Sequence, residues 1–167
     1  MYHIGDKIVY PMHGAGIVEA IEQREVLGEL NQYYILRMSY DDMKVMFPTH
    51  GVAADSIRDV IASEEADRVI RYFEDYYEEV NSNWNKRYRE NVLRIKSGNI
   101  YEVAQVVKML MYRDKMRGLS SGERKMLANA KQILISELVI SKNQAQEEIE
   151  ELLSCIVDAL IGKTAAR

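Results

Sequence analysis

The sequence predicts an α+β fold: a small N-terminal antiparallel β-barrel over residues 1–60, followed by a C-terminal all-helical bundle over residues 61–167. Three observations carry this reading. Apolar residues come in short strand-like runs as far as Val60 and recur at helical spacing from Ser63 onward. Both prolines, Pro11 and Pro48, stand at the ends of such short runs in the first part of the chain. The charge also divides the chain. Residues 81–135 hold twelve Lys or Arg against four Asp or Glu, a net of +8, while the chain as a whole carries -4.

The strand region is taken first. Lys7-Ile8-Val9-Tyr10 reads as one strand, Gly16 to Val26 as a second, Tyr33 to Met38 as a third and Met43 to Phe47 as a fourth, with Ile57-Arg58-Asp59-Val60 adding a fifth. Turn chemistry separates them: Pro11 with Gly14 and Gly16, Leu27-Gly28-Glu29 at a hairpin tip, and Ser39-Tyr40-Asp41-Asp42. Five short antiparallel strands in about sixty residues make an SH3/Tudor-like barrel the economical solution. In Met43-Lys44-Val45-Met46-Phe47, Lys44 and Met46 share one face, so an exposed Lys44 predicts an exposed Met46 and a partner surface.

Helical period takes over at Ser63, which caps a helix through about Tyr76 with Val69, Ile70 and Phe73 inward. A second helix opens near Trp84 and runs to Lys96, burying Tyr88, Val92 and Ile95, and Ser97-Gly98 stops it. The third covers Ile100 to Arg117 and ends at Gly118. Ser120-Ser121-Gly122-Glu123 spells a capping box for the fourth, which carries Met126, Leu127, Ile133, Leu134 and Leu138. Ser141 with Gln144 caps the last, whose apolar face runs from Ile149 to Leu160.

Several functions are excluded or disfavoured. No apolar run is long enough to span a bilayer and no secretory signal opens the chain, so a cytoplasmic protein without membrane contact is expected, acting as a monomer. Cys155, the only cysteine, is read as a small buried side chain. His3, His13 and His50 lack ligand spacing, so neither metal nor cofactor is expected, and His13-Gly14-Ala15-Gly16 lacks the spacing of a phosphate loop. The acidic group Glu74, Asp75, Glu78 and Glu79 is read as a solvated face separating the barrel from the basic block. No nucleophile pairs with a base, so the chain is not read as an enzyme.

The basic block opens at Asn81-Ser82-Asn83-Trp84-Asn85-Lys86-Arg87-Tyr88-Arg89, which holds the only tryptophan. A lone Trp at the start of a helix is commonly a core anchor. Here capping residues precede the ring and polar or charged residues follow it, which places it at a helix tip. A large ring beside three cations suits a protein that props open a base step from the minor groove while neutralising the flanking phosphates.

Three blocks together resemble the CarD family of bacterial transcription regulators: Gly5-Asp6-Lys7-Ile8-Val9-Tyr10-Pro11-Met12-His13-Gly14-Ala15-Gly16, Asn83 to Arg89, and Arg117 to Leu127. The similarity runs through about Leu138, and the first block alone is shared with the polymerase-interaction domain of transcription-repair coupling factor. The resemblance implies a Tudor-like RNA polymerase-interaction domain docking on the β subunit and a helical domain meeting promoter DNA at the upstream edge of the bubble. It implies that Trp84 wedges into the minor groove and that Lys86, Arg87, Arg89, Arg124 and Lys125 contact phosphates. On the barrel it implies polymerase contacts at Arg24, Val26 and Met46. Met46 stands where the family's second arginine falls, so docking is expected either to lean more on apolar contact or to be weaker than in members with both arginines. The alternative is a protein adaptor whose basic helical face binds an acidic protein, with Trp84 as its anchor.

Overall fold

The computed structural model describes residues 1–75, 77 and 83–165. Strands β1 (Lys7–Tyr10), β2 (Gly14–Val26), β3 (Glu29–Met38), β4 (Lys44–Pro48) and β5 (Arg58–Asp59) form one antiparallel sheet in the order β4-β3-β2-β1-β5. The sheet curls but does not close into the expected barrel. β4 and β5 remain its two edges, because β5 is only two residues long and follows a single-turn helix, α1 (Val52–Asp55), that the sequence reading missed. Its inner face packs Ile8, Val18, Tyr34, Leu36, Met38, Phe47 and Ile57.

Two features of β2 govern what it can touch. It begins at Gly14, two residues earlier than predicted, because Gly14 and Ala15 still pair with Tyr10 and Val9. Gly14 has φ of +112°, and a Cβ there would fall 2.4 Å from Ser136 Oγ, so only glycine allows this close an approach. At the far end Leu27 and Gly28 both take positive φ, as a tight two-residue hairpin connection requires.

Five helices follow: α2 (Ser63–Glu74), α3 (Trp84–Lys96), α4 (Ile100–Met116), α5 (Ser121–Lys142) and α6 (Gln146–Ala165). Their core gathers Phe73, Val107, Leu110, Leu134, Leu138, Ile149 and Leu153. Three local expectations are corrected. Ser63 is the first helical residue rather than the cap, and its hydroxyl accepts from Lys142 Nζ at 3.1 Å. Ser141 lies inside α5 and donates to Ile61 O at 2.8 Å; the helix stops at Asn143, which adopts the left-handed conformation. Cys155 is exposed, because Leu153, Ile156 and Val157 take the inward positions of that turn. Glu74 and Asp75 are exposed as predicted, while Tyr76, Glu78, Glu79, Asn81 and Ser82 lie outside the described residues.

The end of α2 is closed by Lys108 on α4. Its ammonium is almost wholly buried and donates to Tyr72 O at 3.0 Å and Asp75 O at 2.7 Å, beside the Tyr72 ring. Burial draws its pKa below that of a free lysine.

Sheet and bundle meet along α5. Ser136 Oγ accepts from Ala15 N at 2.8 Å, Ser39 Oγ donates to Ser136 O at 2.5 Å, and Gln132 Nε2 donates to His13 O at 3.2 Å. Arg58 of β5 then grips the fully buried Glu137 with two hydrogen bonds of 2.7 Å and reaches Gly98 O at 3.2 Å, between α3 and α4. Ile61 N adds a third donor to Glu137 at 3.0 Å. A planar guanidinium matched to a carboxylate fixes direction as well as distance. The sheet is thereby held to the same turn that ends α3.

Candidate functional site

The N-termini of α3 and α5 converge, although 36 residues separate Trp84 from Ser120 in the chain. Each tip is capped locally: Asn83 Oδ1 accepts from Lys86 N at 2.8 Å, and Ser120 Oγ from Glu123 N at 3.2 Å. The serine half of the predicted capping box is present, and its hydroxyl is used further. Ser120 Oγ also accepts from Trp84 Nε1 at 3.1 Å and donates to Glu123 Oε1 at 3.3 Å. Glu123 in turn takes Arg87 Nε at 3.2 Å, an ion pair in which the side chains are only 11% and 4% exposed. Gly122 lies beside both rings, where a Cβ would sit 3.6 Å from Trp84 Cζ2 and 3.7 Å from Tyr88 Cε2.

Trp84 is therefore neither a core residue nor a loose one. It is 42% exposed, yet one face stacks on Tyr88, with ring centroids 4.9 Å apart and planes inclined by 19°. The pair stands at i and i+4 on α3, a spacing that brings side chains together on a helix. Helical spacing places Tyr88 on the inward stripe, and in the fold it both packs against the bundle core and carries the indole. A cleft of about 300 Å³ opens beside the pair, lined by Trp84, Asn85, Tyr88 and Arg89.

The cations of the two helix tips are engaged unequally. Lys86, Arg89, Arg124 and Lys125 are exposed. Lys86 Nζ lies 4.0 Å from Glu90, Arg89 Nε makes a long 3.4 Å contact with Asn85 O, and Arg124 and Lys125 form no ion pair among the described residues. Arg87 differs: its guanidinium is engaged behind the rim with Glu123. Nothing in the sequence pairs Arg87 with Glu123 at so long a separation.

The strand register gathers the second group. Ala20, Ile35 and Met46 stand opposite one another across three strands, and Arg24 and Val26 follow Ala20 at even spacing, so Arg24, Val26 and Met46 share one sheet face. Val26 and Met46 are both exposed, as is Lys44, and Leu27 at the hairpin tip is 99% exposed. Arg24 donates twice to Glu22, at 3.0 and 2.8 Å. Glu19 at the β2 bulge is held by Lys44 at 3.1 Å and Arg37 at 2.5 Å, and these hydrogen bonds, Lys44's foremost, keep its carboxyl below the usual range. Five charges of this sheet, Glu19, Glu22, Arg24, Arg37 and Lys44, are thus paired in place.

Among the described residues no group of three or more His, Cys, Asp or Glu is placed to hold a metal ion, and no helix is long and apolar enough to cross a membrane. Residues 2–61 match the sequence profile of the CarD-like/TRCF RID domain, and residues 68–154 that of the CarD C-terminal domain. A Bacillus subtilis (strain 168) protein named "Putative transcription factor YdeB" is 43% identical over 150 residues, which is 90% of this chain and 98% of that protein. On both halves of its length, the chain belongs to the CarD family.

Proposed function

We propose that the chain is a transcription regulator that docks on the β subunit of RNA polymerase through the sheet face bearing Arg24, Val26 and Met46 and stabilises the promoter open complex through the helix tips. Trp84 contacts the duplex from the minor groove at the upstream edge of the bubble. Lys86, Arg89, Arg124 and Lys125 hold phosphates on either side, and Arg87 braces the ring by tying α3 to Glu123. The observation that carries this reading is the state of Trp84: a half-exposed ring, fixed by Ser120 Oγ where two helix tips bearing exposed cations meet.

Tethering supplies the affinity. Docking on polymerase raises the local concentration of the basic rim at the promoter, so weak phosphate contacts suffice. The net charge of -4 keeps the free chain off genomic DNA. A group that contacts the opened duplex better than the closed one shifts the equilibrium toward the open state by that difference in affinity.

The test is co-purification with core RNA polymerase, followed by measurement of open-complex lifetime with and without the chain. Binding with a lengthened lifetime and an upstream-edge footprint supports the reading. Binding without any change at the DNA turns the basic rim into a protein-binding face.

A further inference from the structure

A flat ring inserted fully between two base pairs meets a base on each of its faces, whereas a partial wedge needs only one side free. Trp84 has one side free. Tyr88 covers one face, the indole N–H is tied to Ser120 Oγ at 3.1 Å, and Gly122 lies close to both rings, beside Trp84 Cζ2 and Tyr88 Cε2. What remains open borders the cleft of about 300 Å³ shared with Tyr88, Asn85 and Arg89. These four residues fall at i, i+1, i+4 and i+5, within the first turns of α3. The Asn85 amide makes no side-chain hydrogen bond among the described residues, and the Arg89 guanidinium makes only the 3.4 Å contact through Nε. An aromatic platform beside a free amide and a free guanidinium is the equipment with which proteins hold single unstacked bases.

We propose that this cleft receives one unpaired nucleobase, laid against the Trp84–Tyr88 pair rather than threaded past it. The Asn85 amide, one donor group and one acceptor, reads the edge of that base, and Arg89 holds its phosphate. The proposal rests on the reading that the helix tips meet melted promoter DNA, and it makes Asn85 a specificity-determining residue within that site. It also differs from a backbone-only rim, which is indifferent to the identity of any base.

The experiment uses the full chain with RNA polymerase on a promoter series in which an abasic site is moved, one position at a time, along each strand across the upstream edge of the bubble. The quantity read is the factor by which the chain lengthens open-complex lifetime. At one position, removing the base should cut that factor about tenfold, within the range expected for loss of one stacked base. Replacing the base at that position with each of the other three should change the factor several-fold, and Asn85→Ala should lower the response and flatten it across the four. A factor that is the same at every abasic position overturns the cleft, while the lengthened lifetime itself leaves the underlying reading standing. A base preference that survives Asn85→Ala overturns the assignment of Asn85. No lengthening on the intact promoter defeats the underlying reading instead, so the two failures are distinct.

Discussion

The outer sheet face and the helix-tip rim both set arginine beside exposed apolar groups, yet they treat charge in opposite ways. On the sheet, Arg24 is committed to Glu22, while Arg37 and Lys44 are committed to Glu19, leaving Val26, Leu27 and Met46 as the open surface. At the tips, Arg124 and Lys125 form no ion pair among the described residues, and the apolar group is a single ring fixed in place. A surface that meets a folded protein gains from apolar area with its charges settled, whereas one that meets a polyanion gains from cations left open for phosphate. The difference between the two regions thus maps onto the two partners we assign to them.

The seam between these regions carries the largest expected effect. Arg58→Ala leaves the fully buried Glu137 with Ile61 N as its remaining donor, and stranding a buried carboxylate in this way costs ~3–5 kcal/mol. Urea denaturation should register that loss. In conditions where the variant is folded, it should bind polymerase but give a weaker open-complex effect, because Arg58 also holds the turn that ends α3. Undiminished stability would mean that the ion pair does not fix the two regions together.

Arg24→Glu comes next. It removes the partner of Glu22 and places a second carboxylate beside it, and pull-down of the β subunit should weaken roughly tenfold, as a like-charge clash at an interface implies. Equal capture by wild type and variant would move the docking surface elsewhere.

At the rim, neutralising one phosphate contact should lower activity on every promoter by a similar factor and reduce the salt slope by ~0.9. Lys125→Ala and Arg124→Ala should behave in this way, and lifetimes measured over a range of salt decide it. Arg87→Ala should instead lower stability with little change in slope, because its guanidinium is engaged with Glu123.

The smallest effect belongs to Glu19. Its folded-state pKa lies below its unfolded value, so its contribution is complete above the unfolded pKa and disappears as pH falls through the folded one. Comparing wild type with Glu19→Gln by urea titration should reveal a small stability difference at neutral pH that vanishes in acid. A difference that grows in acid would reverse the assignment.

Local chemistry was legible in the sequence and long-range placement was not. Strand alternation, the Ser120 cap on Glu123 N and the tip position of Trp84 depend on neighbours a few residues away, and each is found in the fold. Exposure of Met46 beside Lys44 likewise follows from strand parity. The Trp84–Ser120 hydrogen bond and the Arg87–Glu123 pair join α3 to α5 across the bundle, and no spacing rule reaches that far. Cys155 went astray because apolar neighbours on both sides of a helical position do not say which way it points. Ser141 did so because a serine near a helix junction fits a cap as well as a cross-link to Ile61.

The central claim is that Trp84 is fixed for work on DNA rather than buried for stability, and one variant tests it most directly. Open-complex lifetime, polymerase binding and thermal unfolding should be measured together for wild type and Trp84→Ala. Truncation should shorten the lifetime roughly 5- to 150-fold, the equivalent of ~1–3 kcal/mol of lost base contact. Polymerase binding should stay unchanged and the melting temperature should fall by only about 2–4 °C, which corresponds to ~1 kcal/mol of lost stacking and hydrogen bonding at this size. An unchanged lifetime, or a collapse of thermal stability that accounts for the lost activity, would contradict the account.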